Sequence, residues 1–264
     1  MAASLQTAIT ERLFLAAAGA LGLIFATIAY QDYRYYVSLG PHGLPDTFWG
    51  WYTQLKMSRK SRKDVTVPVP YDIKIVAGPH DQESYLPQDA VRALKWRPGN
   101  KMPRIPNFVA PQRQVSDQAS DSMKQAMFAY LDTVVASHRS VLQTQKSVLE
   151  GPVPAVGIKD FKFPPEADRP NVIRATRGEI IHIHPPDGST HMVMSLADQK
   201  SVIELGWGRR HRLSGGGMLP WNYTFVYAPR NEAEFEVWKV IIGAAVKFCI
   251  ANIEDAKKSE RSAE

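Results

Sequence analysis

The stretch EIIHIHPPDGSTHMVMSL, Glu179–Leu196, decides the fold. Two apolar and histidine-rich runs, Glu179 to His184 and Thr190 to Leu196, flank Pro185-Pro186-Asp187-Gly188-Ser189, a cluster of turn formers, and this predicts a β-hairpin. Side chains alternate along a strand, so His182 and His184 share one face and Ile181 and Ile183 the other. If His184 pairs with His191 across the turn, His182 faces Val193 and all three imidazoles emerge on one side; a one-residue slip would send His191 to the opposite face. Such a cluster has three readings. It is a metal site, because His-x-His plus a third histidine holds zinc or iron through neutral nitrogens. It is an acid/base and substrate-binding face, because histidine is readily tuned near neutrality. Or it is structural, each ring satisfied by a backbone partner.

Working outward, Asp198 to Leu205 reads as a helix stopped by Gly206, and Asn222 to Tyr227 as a strand closed by Ala228-Pro229-Arg230. The last helix is opened by Asn231 with Glu234 three positions on, and Phe235, Trp238, Ile241, Ile242, Ala245 and Cys249 follow at helical spacing, which makes the single cysteine a packing residue. Upstream, Met123, Met127, Tyr130, Leu131 and Val134 mark an amphipathic helix within Asp117 to Ser137. From Gly40 to Arg113, GPHGLPDTFWGWY, VTVPVPYD and LKWRPGNKMPRIPNF break both periodicities and predict an extended, irregular wrap with short elements, pinned to the core by Trp49, Trp51, Trp96 and Phe108. The fold class is α+β: a single soluble domain with a mainly antiparallel sheet and flanking helices, residues 37–264, in which the wrap occupies 37–113 and the regular elements 114–264.

Residues 1–36 read as one N-terminal transmembrane helix. Leu13 to Gln31 is 19 residues without a charge, and at about 1.5 Å per residue it reaches close to the ~30 Å hydrocarbon core of a bilayer. A cleaved signal peptide and a buried core helix are the competing readings, but the flanks suit a signal peptide poorly. Tyr30, Tyr33, Tyr35 and Tyr36 supply an aromatic belt, and the basic residues beyond them place the bulk of the chain in the cytosol by the positive-inside rule. The chain of 264 residues has a net charge of +6, and Lys56 to Lys63 alone carries five positive charges. The basicity is therefore a local patch that suits anionic membrane lipid and does not describe a nucleic-acid surface. One cysteine excludes a disulfide framework. The absence of GxGxxG, GxxxxGK[ST], GxSxG and HExxH removes dinucleotide, phosphate-loop, serine-hydrolase and zincin signatures.

Two further segments stand out. Gly206-Trp207-Gly208-Arg209-Arg210-His211 reads as a glycine-flexed loop carrying guanidinium groups beside a histidine, and Arg230 sits at a strand-to-helix junction; arginines there suit an anionic or enolate-like ligand. Asn222-Tyr223-Thr224 is a glycosylation sequon whose modification would put the domain on the luminal side.

EIIHIHPPDGSTHMVMSLAD, ELGWGRRHRLSGGG and TFVYAPRNEAEFEVWKVII together resemble the fungal luciferase family, as do DYRYYVSLGPHGLP (Asp32 to Pro45) and RPGNKMPRIPNFVAPQRQ (Arg97 to Gln114). The resemblance implies a membrane-anchored oxygenase that oxidises the luciferin 3-hydroxyhispidin with molecular oxygen, loses carbon dioxide from a peroxide intermediate and leaves excited caffeylpyruvate that emits light; the alternatives are a non-luminous oxygenase or hydrolase acting on a related phenolic pyrone, and a membrane-tethered ligand-binding protein. It implies no cofactor besides oxygen as co-substrate, with a metal at His182, His184 and His191 as the alternative; the expected partners are luciferin, oxygen and membrane lipid, with no nucleic acid. The catalytic residues expected on this basis are His182 or His184 as general base, His191 and His211 binding pyrone oxygens or relaying protons, and Arg210 or Arg230 stabilising the enolate. Glu179, Trp207, Phe225 and Tyr227 are the expected substrate-binding residues, the aromatics forming a slot for the styryl arm.

Overall fold

The computed structural model describes residues 2–66, 78, 80–89, 96–99, 102–159 and 171–263. Parts of two proline-rich segments, VTVPVPYD and LKWRPGNKMPRIPNF, lie outside them. Helices α1 (Ala2–Ser38), α2 (Phe48–Lys60) and α3 (Asp121–Ser137) precede strands β1 (Leu142–Lys146) and β2 (Pro154–Ile158). Then follow α4 (Asn171–Ala175), β3 (Glu179–Ile183), β4 (Thr190–Val193), α5 (Leu196–Glu204), β5 (Gly208–Arg210), β6 (Tyr223–Val226) and α6 (Glu232–Ala263). The six strands form one antiparallel sheet in the order β1-β2-β3-β4-β6-β5.

Register sorts the sheet into two faces. Ile181 pairs with Met192, and Met192 with Thr224, so these side chains share the face covered by α3 and α6, where the Trp238 indole N–H donates to Thr190 Oγ1 at 3.0 Å. His182 pairs with His191, and His191 with Phe225, on the other face. The expected His184–His191 pairing is thus corrected by two residues. The turn is tighter than that pairing implies: the His184 N–H donates to Ser189 O and the Gly188 N–H to His184 O, so only residues 185–188 separate the last bonded pair. An even shift preserves the face, so the imidazoles still converge. Gly188 holds a φ of +79°, and a Cβ there would come within 2.6 Å of Ala119 Cβ, which reserves the position for glycine.

The periodic helices form as their patterns require. Ser120, Ser195 and Asn231 cap α3, α5 and α6 by accepting from Met123, Asp198 and Glu234 N–H, and Gly206 follows α5 at a φ of +76°. Cys249 is buried in the main core.

Three expectations need correction. The region 40–113 is not wholly irregular, because Thr47 accepts from Gly50 N–H and opens α2; no proline intervenes between Asp46 and Thr66 to break it. Trp51 and Phe108 are buried, joining a second cluster with Tyr36 and Leu39, whereas Trp49 and Trp96 are exposed. Segment 206–211 is not a flexible loop: Gly208 starts β5, and a Cβ on it would lie 2.6 Å from Phe225 O, so this glycine serves close strand approach.

The first helix is long and apolar enough, over Ile9–Ser38, to cross a membrane, and Leu13, Phe14, Leu15, Leu23 and Phe25 are exposed. Its last turns belong to the domain. Tyr36 is fully buried and donates to Pro45 O at 3.0 Å, and Asp32 accepts from the Trp51 indole at 2.7 Å. Tyr36 therefore leaves the expected aromatic belt and becomes a core residue.

Candidate functional site

The histidine face is assembled by three elements. His182 comes from β3, His191 from β4, and His184 from the first residue of the turn; all are buried, with ring centroids 4.7–5.1 Å apart. His211, just past β5, adds a ring 4.8 Å from His191. Glu179 reaches the same face because β2 and β3 are out of step: Val156 pairs with Ile181 but Gly157 with Glu179, leaving Ile180 as an extra residue that turns Glu179 toward His182.

The outer nitrogens of two imidazoles are fixed by partners behind them. His182 Nδ1 lies 2.5 Å from Glu179 Oε1, and Glu179 itself accepts from Ser147 Oγ and, at 2.7 Å, from Val148 N–H. Ser189 Oγ donates to Asp187 Oδ2 at 2.7 Å and so accepts from His184 Nδ1–H at 2.8 Å. Both Nε2 atoms then point inward, 3.2 Å from each other. His191, by contrast, is buried with neither nitrogen hydrogen-bonded.

Two residues absent from the sequence-based expectations complete the centre. Glu150, in the β1–β2 loop, brings its carboxylate to 3.8, 3.6 and 3.9 Å from Nε2 of His182, His184 and His191. Arg113 is buried behind it, donating to Glu150 Oε2 at 2.6 Å and to Pro41 O at 2.5 Å. Burial would raise the Glu150 carboxyl, but the Arg113 guanidinium and the neighbouring histidines hold it well below its usual range. Burial opposes charge on His182, yet hydrogen bonds and charges from Glu150 and Glu179 lift it to about 9. Burial, reinforced by Arg113, takes His184 down to about 3 against the pull of Glu150, and burial likewise takes His211 to about 3.

The expected arginines act elsewhere. Arg210 pairs with Thr224, which places it on the face opposite His191, and its guanidinium donates to Asp64 Oδ2 at 2.8 Å and to Asp64 O at 2.6 Å. Arg230 is bound by Glu234 and Pro98 O. The cation beside the histidines is Arg113. The expected aromatic slot is also displaced: Trp207 is part of the main core and Tyr227 receives a hydrogen bond from Arg209. Phe225 does lie on the histidine face, its ring 5.1 Å from His191.

A cavity of about 300 Å³ opens onto this centre, lined by Glu150, His211 and Tyr223 with Leu44, Met57, Val109 and Leu149. His211 Nδ1 accepts from Leu213 N–H at 3.0 Å, so its proton is on Nε2. Burial keeps Tyr223 a phenol well beyond its ordinary range. A larger cavity of about 630 Å³ shares Met57, Leu213 and Met218 with the first and is lined by Lys56, Lys60, Arg62 and Arg212. Asn222 is buried, its amide donating to Asp81 Oδ1 and Met194 O, so the sequon is closed in the folded domain.

A sheet with one face in the core and the other presenting buried, polar, titratable groups to a cavity forms a recessed histidine centre suited to binding or catalysis. Residues 177–245 match the Luciferase domain. Over 249 residues the chain is 28% identical to a luciferase of Armillaria gallica, covering 89% of this chain and 88% of that one. Over 259 residues it is 29% identical to a luciferase of Neonothopanus nambi, covering 93% and 88%. No solved structure matches. Residues 177–245 thus resemble the Luciferase domain, and most of the chain is similar to fungal proteins named luciferase, a likeness that supports an enzyme of the oxidoreductase type in general.

Proposed function

We propose that this protein is a membrane-anchored luciferase that oxidises 3-hydroxyhispidin with molecular oxygen. The observation that carries the reading is the cavity on the histidine face, whose floor offers hydrogen-bond donors and whose walls are apolar. The His211 Nε2–H and the Tyr223 hydroxyl donate to the pyrone oxygens and stabilise the enolate in which the substrate enters, its 3-hydroxyl proton having passed to water outside the cavity. The enolate carries the electrons that reduce oxygen: a carbon–oxygen bond forms to give a peroxide, carbon dioxide leaves, and caffeylpyruvate is released in an excited state. The luciferin is its own reductant, so no flavin or nucleotide is needed. Leu44, Met57, Val109 and Leu149 surround the styryl arm and exclude the water that would quench the product. The basic outer cavity draws in an anionic substrate and lets an anionic product leave.

Helix α1 spans the bilayer with the basic residues of α2 and the domain on the cytosolic side. Purified protein in detergent micelles, freed of small molecules and supplied with 3-hydroxyhispidin and air, should emit light and release one carbon dioxide per luciferin. Oxygen uptake without light would make it a dark oxygenase, and binding without turnover would refute the enzymatic reading. Protease digestion of sealed vesicles tests the topology, since a luminal domain would be protected.

A further inference from the structure

We propose that Glu150, His182, His184 and His191 form a binding site for one divalent first-row transition metal ion. This inference concerns the centre itself and stands whether or not the chain turns over 3-hydroxyhispidin.

The four side chains come from four separate points of the chain, yet one potential ligand atom of each lies within 4.8 Å of every other. The measured separations are 3.2 Å between His182 and His184 Nε2, and 3.6, 3.8 and 3.9 Å from Glu150 oxygens to the three imidazoles. Ligands at about 2.0–2.2 Å around a tetrahedral ion stand roughly 3.3 Å apart, so side-chain shifts of up to about 1.5 Å would bring the set to bonding distance.

Hydrogen-bond direction points the same way. With Nδ1–H of His184 given to Ser189 and Nδ1–H of His182 given to Glu179, the two Nε2 atoms face each other at 3.2 Å, and either a proton or a metal ion has to lie between them. That contact is repulsive without a positive charge between them. A proton on His182 Nε2 would relieve this one pair, but it leaves His191 buried with both nitrogens unpartnered. A metal ion would take one nitrogen from each of the three rings, one of the two bare nitrogens of His191 included, together with a carboxylate oxygen. The Glu179–His182 and Asp187–Ser189–His184 chains are the outer partners that orient metal-bound imidazoles and fix their tautomers. Arg113 does the same for Glu150, donating to Oε2 at 2.6 Å and to Oε1 at 3.4 Å, while Oε1 faces His182 and His191 and Oε2 faces His184. Three imidazoles with one carboxylate suit iron, copper or zinc; calcium and magnesium prefer all-oxygen sites.

The test uses full-length protein without a polyhistidine tag, purified in detergent and analysed by mass spectrometry for bound metals. One metal per chain is expected. After chelation, titration with cobalt(II) should give visible d–d absorption that saturates at one equivalent. His191→Ala should abolish that absorption, and Glu179→Gln, which leaves all four ligands in place, should weaken cobalt binding on the order of tenfold. Circular dichroism establishes that each variant is folded; if His191→Ala is not, the Glu179→Gln shift decides alone. A metal-free wild-type protein whose cobalt titration is the same as that of folded variants overturns the proposal and leaves a shared proton to hold the rings together.

Discussion

Replacing Glu234 by alanine should be among the most damaging single changes outside the main core. The Glu234 carboxylate accepts from Arg97 Nη2, from Arg230 Nε and Nη2, and from the Arg230 backbone N–H. Arg97 is itself buried, at 5% exposure, with Ala228 O as its other acceptor. Removing one partner of a buried ion pair leaves the other charge uncompensated and costs about 3–5 kcal/mol. For a domain of this size each kcal/mol lowers the melting temperature by about 2–4 °C, so a fall of roughly 10 °C is expected. Burial alone would raise the Glu234 carboxyl, but hydrogen bonds from Arg230 and the charges of Arg97 and Arg230 hold it below its ordinary value. A depressed folded-state pKa stabilises the fold above the pH at which unfolded glutamates titrate, near ~4.3, and that contribution disappears as the pH falls through the folded value. The gap between wild type and Glu234→Gln should therefore be full at neutral pH and close in acid. Thermal unfolding in micelles, followed by circular dichroism from pH 7 downward, measures both. A Glu234→Ala protein within about 1 kcal/mol of wild type at pH 7 would refute the reasoning, because that is the range of an exposed pair.

Other expectations follow from the same geometry. Arg230→Ala, which removes a side chain 28% exposed, should cost less than Glu234→Ala and leave kcat within about twofold, whereas a direct role on the enolate would lower kcat by about a hundredfold. Leu149→Trp should fill the cavity of about 300 Å³ and raise KM for luciferin while the melting temperature stays near wild type. Lys56→Glu with Lys60→Glu should raise KM by up to about tenfold at low salt, the difference shrinking as salt screens the outer cavity. Deleting residues 2–28 should leave the domain folded, whereas deleting 2–38 removes buried Tyr36 and should abolish cooperative unfolding.

Much of this architecture was legible where one periodicity ran uninterrupted. The α6 stripe from Phe235 to Cys249 is buried throughout, and the hairpin lies where its turn formers put it. The hairpin register was not legible, because the pattern specifies parity and both the expected and observed pairings keep the imidazoles together. Glu150 and Arg113 escaped for a different reason: both sit in irregular segments, and their meeting depends on tertiary contacts that no local spacing encodes. The turn formers Gly151 and Pro152, between the polar run LQTQK and the apolar PAVGI, were the available signal for the β1–β2 hairpin that carries Glu150. Arg210 and Arg230 drew attention by their neighbours in sequence, but alternation in β5 and the acid at Glu234 commit them elsewhere.

The connection between α1 and the cavity is short. Leu44 lines the inner cavity only six residues beyond Ser38, the last residue of the helix, and at about 3.5 Å per residue that is at most roughly 20 Å of chain. If α1 crosses a bilayer as proposed, its last turns, fixed to the domain by Tyr36, would hold the entrance near headgroup height. A styrylpyrone dissolved in lipid would then reach the entrance by lateral diffusion in two dimensions, without passing through bulk water. Under those conditions turnover should track the ratio of luciferin to lipid in vesicles more closely than the total luciferin in the sample.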